Sequence, residues 1–191
     1  MNLYLVRHGQ TTANLAKIFA GNTDVMLTPQ GREEALSIRP ILSEVPFDKV
    51  FTSNLTRAVE TQKLALPDFV SVQTPLLQEI DEGELVGVSI PEALERYGEE
   101  FLRTRDYTRF HGENSEMVCQ RLRLFLSELE NDPCENVAAF AHVGVISCMM
   151  RIVLGTECNS TAMPSPNCAI HVFHFDGKNW SLLAWNYMRK I

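Results

Sequence analysis

Short apolar runs that alternate with helical segments constrain the fold of this chain more than any other feature. "NLYLV" (2–6) and "NVAAFAH" (136–142) are nearly continuous apolar runs, as expected of strands buried on both faces of a sheet. "FDKVFTS" (47–53) predicts another strand, and 168–175 with 180–187 predict a hairpin whose turn contains Asp-Gly. The alternation predicts an α/β fold in three layers (αβα), with a mostly parallel central sheet flanked by helices.

The segments between these strands carry helix signals. Residues 28–45 begin with a Thr-Pro helix start and keep apolar residues at helical spacing, although Pro40 should kink or shorten the helix. Ser53 and Asn54 are predicted to cap the helix that follows the second strand. Residues 113–132 carry an apolar stripe at helical spacing, which predicts an amphipathic helix.

The segment 89–110 differs from these helices. It begins with a capping box formed by Ser89 and Glu92, but its apolar periodicity is weak. We therefore expect about 87–115 to be a cap-like insertion rather than core, whose aromatic residues either stack on a ligand or pack the cap onto the core. The chain length suits one domain over 1–191.

Composition excludes several classes of function. The formal net charge of −7 argues against a broad nucleic-acid-binding surface, but leaves room for one locally positive pocket. No apolar stretch approaches ~20 residues, so no membrane span is expected. The five cysteines are never spaced Cys-x-x-Cys, which gives a zinc or redox site little support. With a first strand that starts by about residue 2, these features predict a protein of the reducing cytoplasm without a signal peptide.

Polar side chains recur where the predicted strands end. Because the carboxyl ends of parallel strands meet at one edge of a sheet, we expect these side chains to converge there. They are Arg7 and His8 after the first strand, Arg57 after the second, Glu79 in "LLQEIDEG" and His142 after "VAAFA", with Asn14 on the first loop.

This set suits a phosphoryl group. Arginine side chains match phosphate oxygens in a bidentate way and stay charged. A histidine can attack phosphorus and hold a covalent intermediate, and Glu79 fits the remaining acid and base task. Gly9 is expected to let the backbone approach the anion, and helix N-termini add positive dipole. The arginines and histidines supply the charge stabilisation, so no metal or other cofactor is required.

Several motifs in order resemble one family. "LVRHGQTTAN" resembles the RHG[EQ]xxxN signature of the histidine phosphatase superfamily, in its phosphoglycerate-mutase-like branch. The resemblance covers nearly the whole chain and is much more specific than RHG alone. The further matching segments are "GNTDVMLTPQGREEA", "FTSNLTRAVETQ", "LLQEIDEGELVG", "FHGENSEM" and "FAHVGVI".

The resemblance implies a role for each site residue. His8 is implied as the phosphorylated nucleophile, and Glu79 as the proton donor that then acts as general base. The phosphoryl oxygens are implied to contact Arg7, Arg57 and His142, with Asn14 as a further donor and a contribution from the backbone N–H of Val143. The implied fold is phosphoglycerate-mutase-like.

Two departures and one comparison bear on the activity. Val143 replaces the glycine that normally follows the second histidine, and Leu85-Val86 replace a tryptophan-glutamate pair. Phosphoglycerate mutases of the family have a longer insertion and Arg-His-Tyr after the acid, where this chain has Ile80-Asp81-Glu82. Extra carboxylates would repel a bisphosphate or a carboxylated phosphoester, which favours a phosphomonoesterase over a mutase.

The expected substrate is a small phosphorylated metabolite. Small phosphatases that resemble α-ribazole phosphatase suggest α-ribazole 5'-phosphate, and a sugar phosphate or nucleotide is the other candidate. A cofactor-dependent phosphoglycerate mutase and an inactive phosphate-binding or regulatory protein remain alternatives, and homodimer formation stays open.

The other polar residues receive simpler interpretations. His171 is predicted to be structural, while His111 could equally line the rim of the pocket. Glu113 and Ser115 are interpreted as a helix start rather than as substrate contacts.

Overall fold

Six strands form one mixed sheet within residues 1–155 and 163–187, which the computed structural model describes. They are β1 (Asn2–Arg7), β2 (Lys49–Ser53), β3 (Val72–Thr74), β4 (Asn136–Ala141), β5 (Ile170–Phe175) and β6 (Trp180–Ala184). The sheet order is β3-β2-β4-β1-β5-β6. The pairs β3–β2, β2–β4 and β4–β1 are parallel, whereas β1–β5 and β5–β6 are antiparallel. The predicted α/β fold with a mostly parallel sheet is therefore confirmed.

Helices follow the strands as expected. Those in the described ranges are α1 (Thr12–Ala16), α2 (Pro29–Ser37), α3 (Arg39–Leu42), α4 (Thr56–Ala65), α5 (Ile90–Tyr97), α6 (Glu100–Thr104), α7 (Ser115–Glu130) and α8 (Val143–Leu154). The predicted helix over 28–45 is interrupted at Ile38, so that Pro40 lies in the first turn of the short α3. This confirms the expected break, because proline cannot continue the hydrogen bonding of a helix interior.

Two apolar clusters hold the layers together. α7 and α8 pack on one face of the sheet, and α2, α3 and α4 pack on the other. Val118, Leu122, Phe125 and Leu129 are buried along α7, as the apolar stripe predicts. Within the described residues, no helix has the length and apolar character needed to span a bilayer.

The insertion at 87–115 contributes to the core, which corrects the expectation that it lies outside. Phe101, Tyr107 and Phe110 are buried in the same cluster as α7 and α8. The apolar periodicity is weak because these residues come from short helices and a turn rather than from one long helix. The left-handed backbone of Arg105 (φ 50°) ends α6 and redirects the chain.

The predicted cap of α4 is wrong. The N-cap residue is Leu55, and its neighbour Thr56 donates its backbone N–H to Asp24 Oδ1 at 2.8 Å. Ser53 Oγ instead accepts from Leu55 N–H at 3.2 Å, and Asn54 makes no cap bond. A carboxylate distant in sequence thus supplies the cap, which no local pattern can indicate.

Candidate active site

A cavity of about 550 Å³ opens at the carboxyl edge of the parallel strands. It brings together most of the predicted site residues on its walls, namely Arg7, His8, Asn14, Arg57, Glu79 and Val143. Gly9 lies outside this lining, and His142 is fully buried behind it. The convergence arises because β1 and β4 are paired in parallel with Arg7 opposite Ala141, so that the residues after both strands meet.

His8 is held as a neutral imidazole with one nitrogen available. Its Nδ1 lies 2.8 Å from the carbonyl oxygen of Gly9. A carbonyl can only accept a hydrogen bond, so Nδ1 carries the hydrogen and Nε2 keeps its lone pair. Burial, and then the charges of Arg57 and Arg7, lower the pKa of His8 well below its usual value. The ring is therefore neutral at neutral pH and keeps a lone pair with which it could attack an electrophile.

Arg57 lies beneath the cavity and is only 2% exposed. Its Nη1 and Nη2 donate to the carbonyl oxygens of Thr23 and Gly21, each at 2.7 Å. Its Nε–H donates to His142 Nδ1 at 3.2 Å. These three bonds fix the plane of the guanidinium group. The loop that supplies the two carbonyl oxygens also contains Asp24, which caps α4, the helix that carries Arg57.

His142 presents a donor beside His8 that has no partner among the described residues. Because its Nδ1 accepts from Arg57, the hydrogen of the neutral ring is on Nε2. That Nε2 atom is buried without a hydrogen-bond partner among the described residues. The rings of His8 and His142 are 5.1 Å apart between centroids. A buried N–H without an acceptor is unfavourable by about 1–3 kcal/mol, so this position favours an anionic ligand.

Arg7 provides a second unpaired donor. Its Nη1 donates to the carbonyl oxygen of Ser165, while its Nε is buried with no partner in the described part of the chain. Burial lowers the pKa of Arg7, an effect that the nearby Glu79 opposes. Behind it, His171 Nδ1 accepts from Asn186 N–H, so Nε2 donates to Ser165 Oγ at 2.8 Å. His171 thus supports the segment that holds Arg7, in agreement with its predicted structural role.

Glu79 is fixed through one carboxylate oxygen. Its Oε1 accepts from the backbone N–H groups of Ile80 and Gly144 at 3.0 and 2.9 Å. A Cβ atom on Gly144 would lie 2.1 Å from that oxygen, so a larger residue there would require the carboxylate to move. The side chain is 8% exposed and lines the cavity. The carboxylate is therefore held in a fixed orientation in the wall of the cavity that His8 also lines.

The loop that carries Glu79 is tied down by residues that the sequence reasoning assigned otherwise. Arg121 donates to the carbonyl oxygens of Glu79 and Leu76 at 3.1 and 3.0 Å. It also pairs with Glu113 at 3.3 Å, and Glu113 Oε2 accepts from Asp81 N–H at 2.9 Å. The interpretation of Glu113 as a helix start is wrong, because α7 is capped by the side chain of Asn114.

The remaining predicted positions have mixed placements. Asn14 lines the cavity, yet its Oδ1 also accepts from Thr11 N–H at 3.1 Å in the capping box of α1. The same Oδ1 also accepts from Asn167 Nδ2 at 3.3 Å. Gly9 packs where a Cβ would lie 2.3 Å from the carbonyl oxygen of Gly31, so it serves close packing of the first loop. Val143 lines the cavity at the start of α8.

Residues outside the predicted set of catalytic and phosphate-binding residues also line the cavity. Glu82 lies three positions after Glu79, and the insertion contributes Arg105 and Tyr107. His111, in contrast, has a side chain that is 81% exposed and does not line the cavity. Among residues 1–155 and 163–187, no group of three or more histidine, cysteine or acidic side chains is arranged to hold a metal ion.

Comparison with known proteins gives the family. Residues 3–188 match the Histidine phosphatase superfamily (branch 1). The chain is 43% identical over 106 residues to 2,3-bisphosphoglycerate-dependent phosphoglycerate mutase 2 from Gloeobacter violaceus, a match that covers 53% of this chain. It spans only about half of that relative's length (48%).

Two phosphatases match over longer stretches. The chain is 30% identical over 183 residues to adenosylcobalamin/alpha-ribazole phosphatase from Salmonella typhi, which covers 92% of this chain and 85% of the relative. The crystal structure of the alpha-ribazole phosphatase from Shigella flexneri superposes with a TM-score of 0.86 at 26% identity, over 98% of this chain and 96% of that one. The fold is phosphoglycerate-mutase-like, as the sequence resemblance implies. By its motifs, its fold and the extent of these matches, the chain belongs to the histidine phosphatase superfamily.

Proposed function

We propose that this protein is a metal-independent phosphomonoesterase that acts through a phosphohistidine at His8. The observation that carries the proposal is that a neutral His8, whose Nε2 keeps its lone pair, shares the site with two buried N–H donors that have no acceptor among the described residues. Those donors are Arg7 Nε and His142 Nε2. A phosphoryl group bound above His8 satisfies both donors and brings phosphorus to the nucleophile.

In the first step His8 Nε2 attacks phosphorus, and the bond between phosphorus and the ester oxygen breaks. The leaving oxygen takes a proton from Glu79, which must be protonated at that moment. The negative charge of the transferring group is stabilised by Arg7, Arg57 and His142, which need no reorganisation because their positions are already fixed. The ring hydrogen on Nδ1 stays bonded to the Gly9 carbonyl, which stabilises the positive phosphoimidazole.

In the second step a water molecule attacks the phosphorus of phosphohistidine. Glu79, now a carboxylate, takes a proton from that water, and the bond between phosphorus and His8 Nε2 breaks. Inorganic phosphate leaves, and both side chains return to their starting protonation states. The hydrogen bonds from Ile80 and Gly144 to Oε1 leave the other carboxylate oxygen, Oε2, for both proton transfers.

We favour hydrolysis over mutase chemistry, although one of the sequence comparisons supports a mutase. The 43% identity to a phosphoglycerate mutase covers about half of the chain, and mutases use the same phosphohistidine chemistry. Here, however, Ile80-Asp81-Glu82 follow Glu79 in place of the Arg-His-Tyr of the family's mutases, so the cationic side chains that would bind a carboxylated or doubly phosphorylated substrate are not present at these positions. The retained catalytic groups argue against an inactive phosphate-binding protein.

The substrate we propose is a small phosphorylated metabolite, with α-ribazole 5'-phosphate, sugar phosphates and nucleotides as the candidates. The relatives named as alpha-ribazole phosphatases support the first of these. We take residues 1–191 to act as one cytoplasmic histidine phosphatase domain capped by 87–115. Homodimer formation is left open.

A panel of phosphoesters tests the activity. Phosphate release is measured in excess chelator for an aryl phosphate, sugar phosphates, nucleotides and α-ribazole 5'-phosphate. The wild type should release phosphate, and the His8→Ala variant should not. Interconversion of phosphoglycerates that outpaces phosphate release would instead establish the mutase, and absence of turnover on every ester would refute the enzyme.

A further inference from the structure

Glu82 is a second carboxyl group in the cavity that the reaction above does not use. It follows Glu79 by three residues on the same loop, and both side chains line the cavity. Its Oε2 accepts from the backbone N–H of Gly21 at 2.6 Å, which holds the group in place. Its other oxygen, Oε1, has no hydrogen-bond partner among the described residues and is therefore available to a ligand.

Glu82 lies between two parts of the cavity. One is the end where phosphate is proposed to bind, and the other is the insertion. Gly21, which binds it, also accepts from Arg57 through its carbonyl oxygen, so Glu82 is adjacent to the phosphate-binding end. On the other side, Glu82 interacts electrostatically with Arg105 and Tyr107 of the insertion. Glu82 is therefore in the cavity where it could contact the alcohol part of an ester whose phosphoryl group lies at Arg57.

Tyr107 supplies a second polar group at the same place. Its ring is buried in the core and the residue lines the cavity. Its hydroxyl has no hydrogen-bond partner in the described part of the chain. Burial and then the charge of Glu82 raise the pKa of Tyr107, so the hydroxyl stays protonated and can donate. A carboxyl and a phenol that line the same cavity and interact electrostatically can together bind an alcohol hydroxyl as donor and as acceptor.

We propose that Glu82 and Tyr107 form a hydroxyl-binding site for the alcohol part of the substrate, so that the enzyme prefers phosphomonoesters of polyhydroxylated alcohols. This inference rests on the proposed phosphatase function and deepens it. Burial and the neighbouring Glu79 raise the pKa of Glu82 to about 8, so at neutral pH the carboxyl is largely protonated and matches a neutral hydroxyl. Once ionised, it would repel a substrate carboxylate at the same place.

Two esters with closely similar leaving groups test the site. Glycerol 1-phosphate and propyl phosphate have the same carbon chain, and only the first carries hydroxyls beside the ester. The measured quantity is the ratio of their kcat/KM values. The wild type should prefer glycerol 1-phosphate, and Glu82→Ala should lower the ratio about 3- to 10-fold, as expected for one uncharged hydrogen bond. Tyr107→Phe should lower it in the same direction.

The controls separate recognition from damage to the fold. Glu84→Ala removes the same chemical group from the same loop, but this side chain is 70% exposed and outside the cavity, so the ratio should stay at the wild-type value. Glu82→Gln keeps a donor and an acceptor and should preserve the ratio. If the Gly21 contact were the whole role of Glu82, Glu82→Ala would slow both esters equally.

The proposed hydroxyl-binding site would be refuted if Glu82→Ala lowered kcat/KM equally for both esters. It would also be refuted if Tyr107→Phe left the ratio of the two kcat/KM values unchanged. Should Glu82→Ala not fold, Tyr107→Phe still decides, because it removes a single oxygen atom. A wild type that hydrolyses no ester at all would refute the phosphatase instead. The two failures are therefore distinguishable.

Discussion

Replacing Gly144 by alanine should impair catalysis through Glu79, although Gly144 itself contacts no substrate in the proposed reaction. A Cβ atom at this position would lie 2.1 Å from Glu79 Oε1, far inside van der Waals contact. The nearest atom belongs to a side chain, so the carboxylate must move, and the bond from Gly144 N–H at 2.9 Å is lost or lengthened. The altered group is the proposed proton donor.

The magnitude follows from two opposing effects. Alanine is a better helix former than glycine by up to about 1 kcal/mol, so α8 itself should not be weakened. A hydrogen bond to a charged group contributes about 1.5–3 kcal/mol, and its loss also misplaces the carboxylate. Expressed as transition-state stabilisation, the loss corresponds to a fall in kcat/KM of about 10- to 100-fold.

The assay compares an alkyl phosphate with an activated aryl phosphate. An alkoxide needs the proton from Glu79 more than a phenolate does, so Gly144→Ala should slow the alkyl ester more. Val143→Gly is the matched control, because it changes the adjacent residue without adding an atom near Glu79. A near-normal Gly144→Ala variant, or a larger loss in Val143→Gly, would refute the reasoning.

Other changes test the remaining groups. Arg57→Ala should cost more than ~3 kcal/mol of transition-state stabilisation because a desolvated, charge-assisted contact disappears; near-normal kcat/KM would refute its role. Glu79→Gln should slow alkyl esters far more than activated aryl esters, and equal losses would point to a structural effect. His8, His142 and His171 have lowered pKa values, to about 3 for His171, so the unfolded chain binds protons that the folded chain does not. Stability should therefore fall as pH drops below about 6.5 toward 3, and a melting temperature that is constant across this range would contradict it.

The placement of the arginine and histidine side chains of the site could be predicted from the sequence. Arg7, His8 and His142 follow strands whose apolar runs are unmistakable, and parallel strands bring their carboxyl ends to one edge. Arg57 follows the same rule after the second strand. The sequence pattern could not predict which nitrogen of each histidine carries the hydrogen. That depends on the Gly9 carbonyl for His8 and on Arg57 for His142.

The residues that hold Glu79 in place could not be predicted from local sequence patterns, and the reason is physical. Gly144 and Arg121 bind it across 65 and 42 residues of sequence, and such pairings leave no periodic signal. Glu82 was visible only as one of several nearby carboxylates. Its contact with Gly21 selects it, because that bond turns the group into the cavity while Glu84 stays exposed.

The glycines near the site show why a departure from a family pattern has to be weighed by geometry. Gly9 and Gly144 are constrained by atoms that a Cβ would overlap, the carbonyl oxygen of Gly31 in one case and Glu79 Oε1 in the other. Val143 occupies a position where the side chain is accommodated on the cavity wall. Val143, which stands where the family has a glycine, therefore leaves the proposed proton donor in place. Replacement of Gly144, the next residue, would displace it.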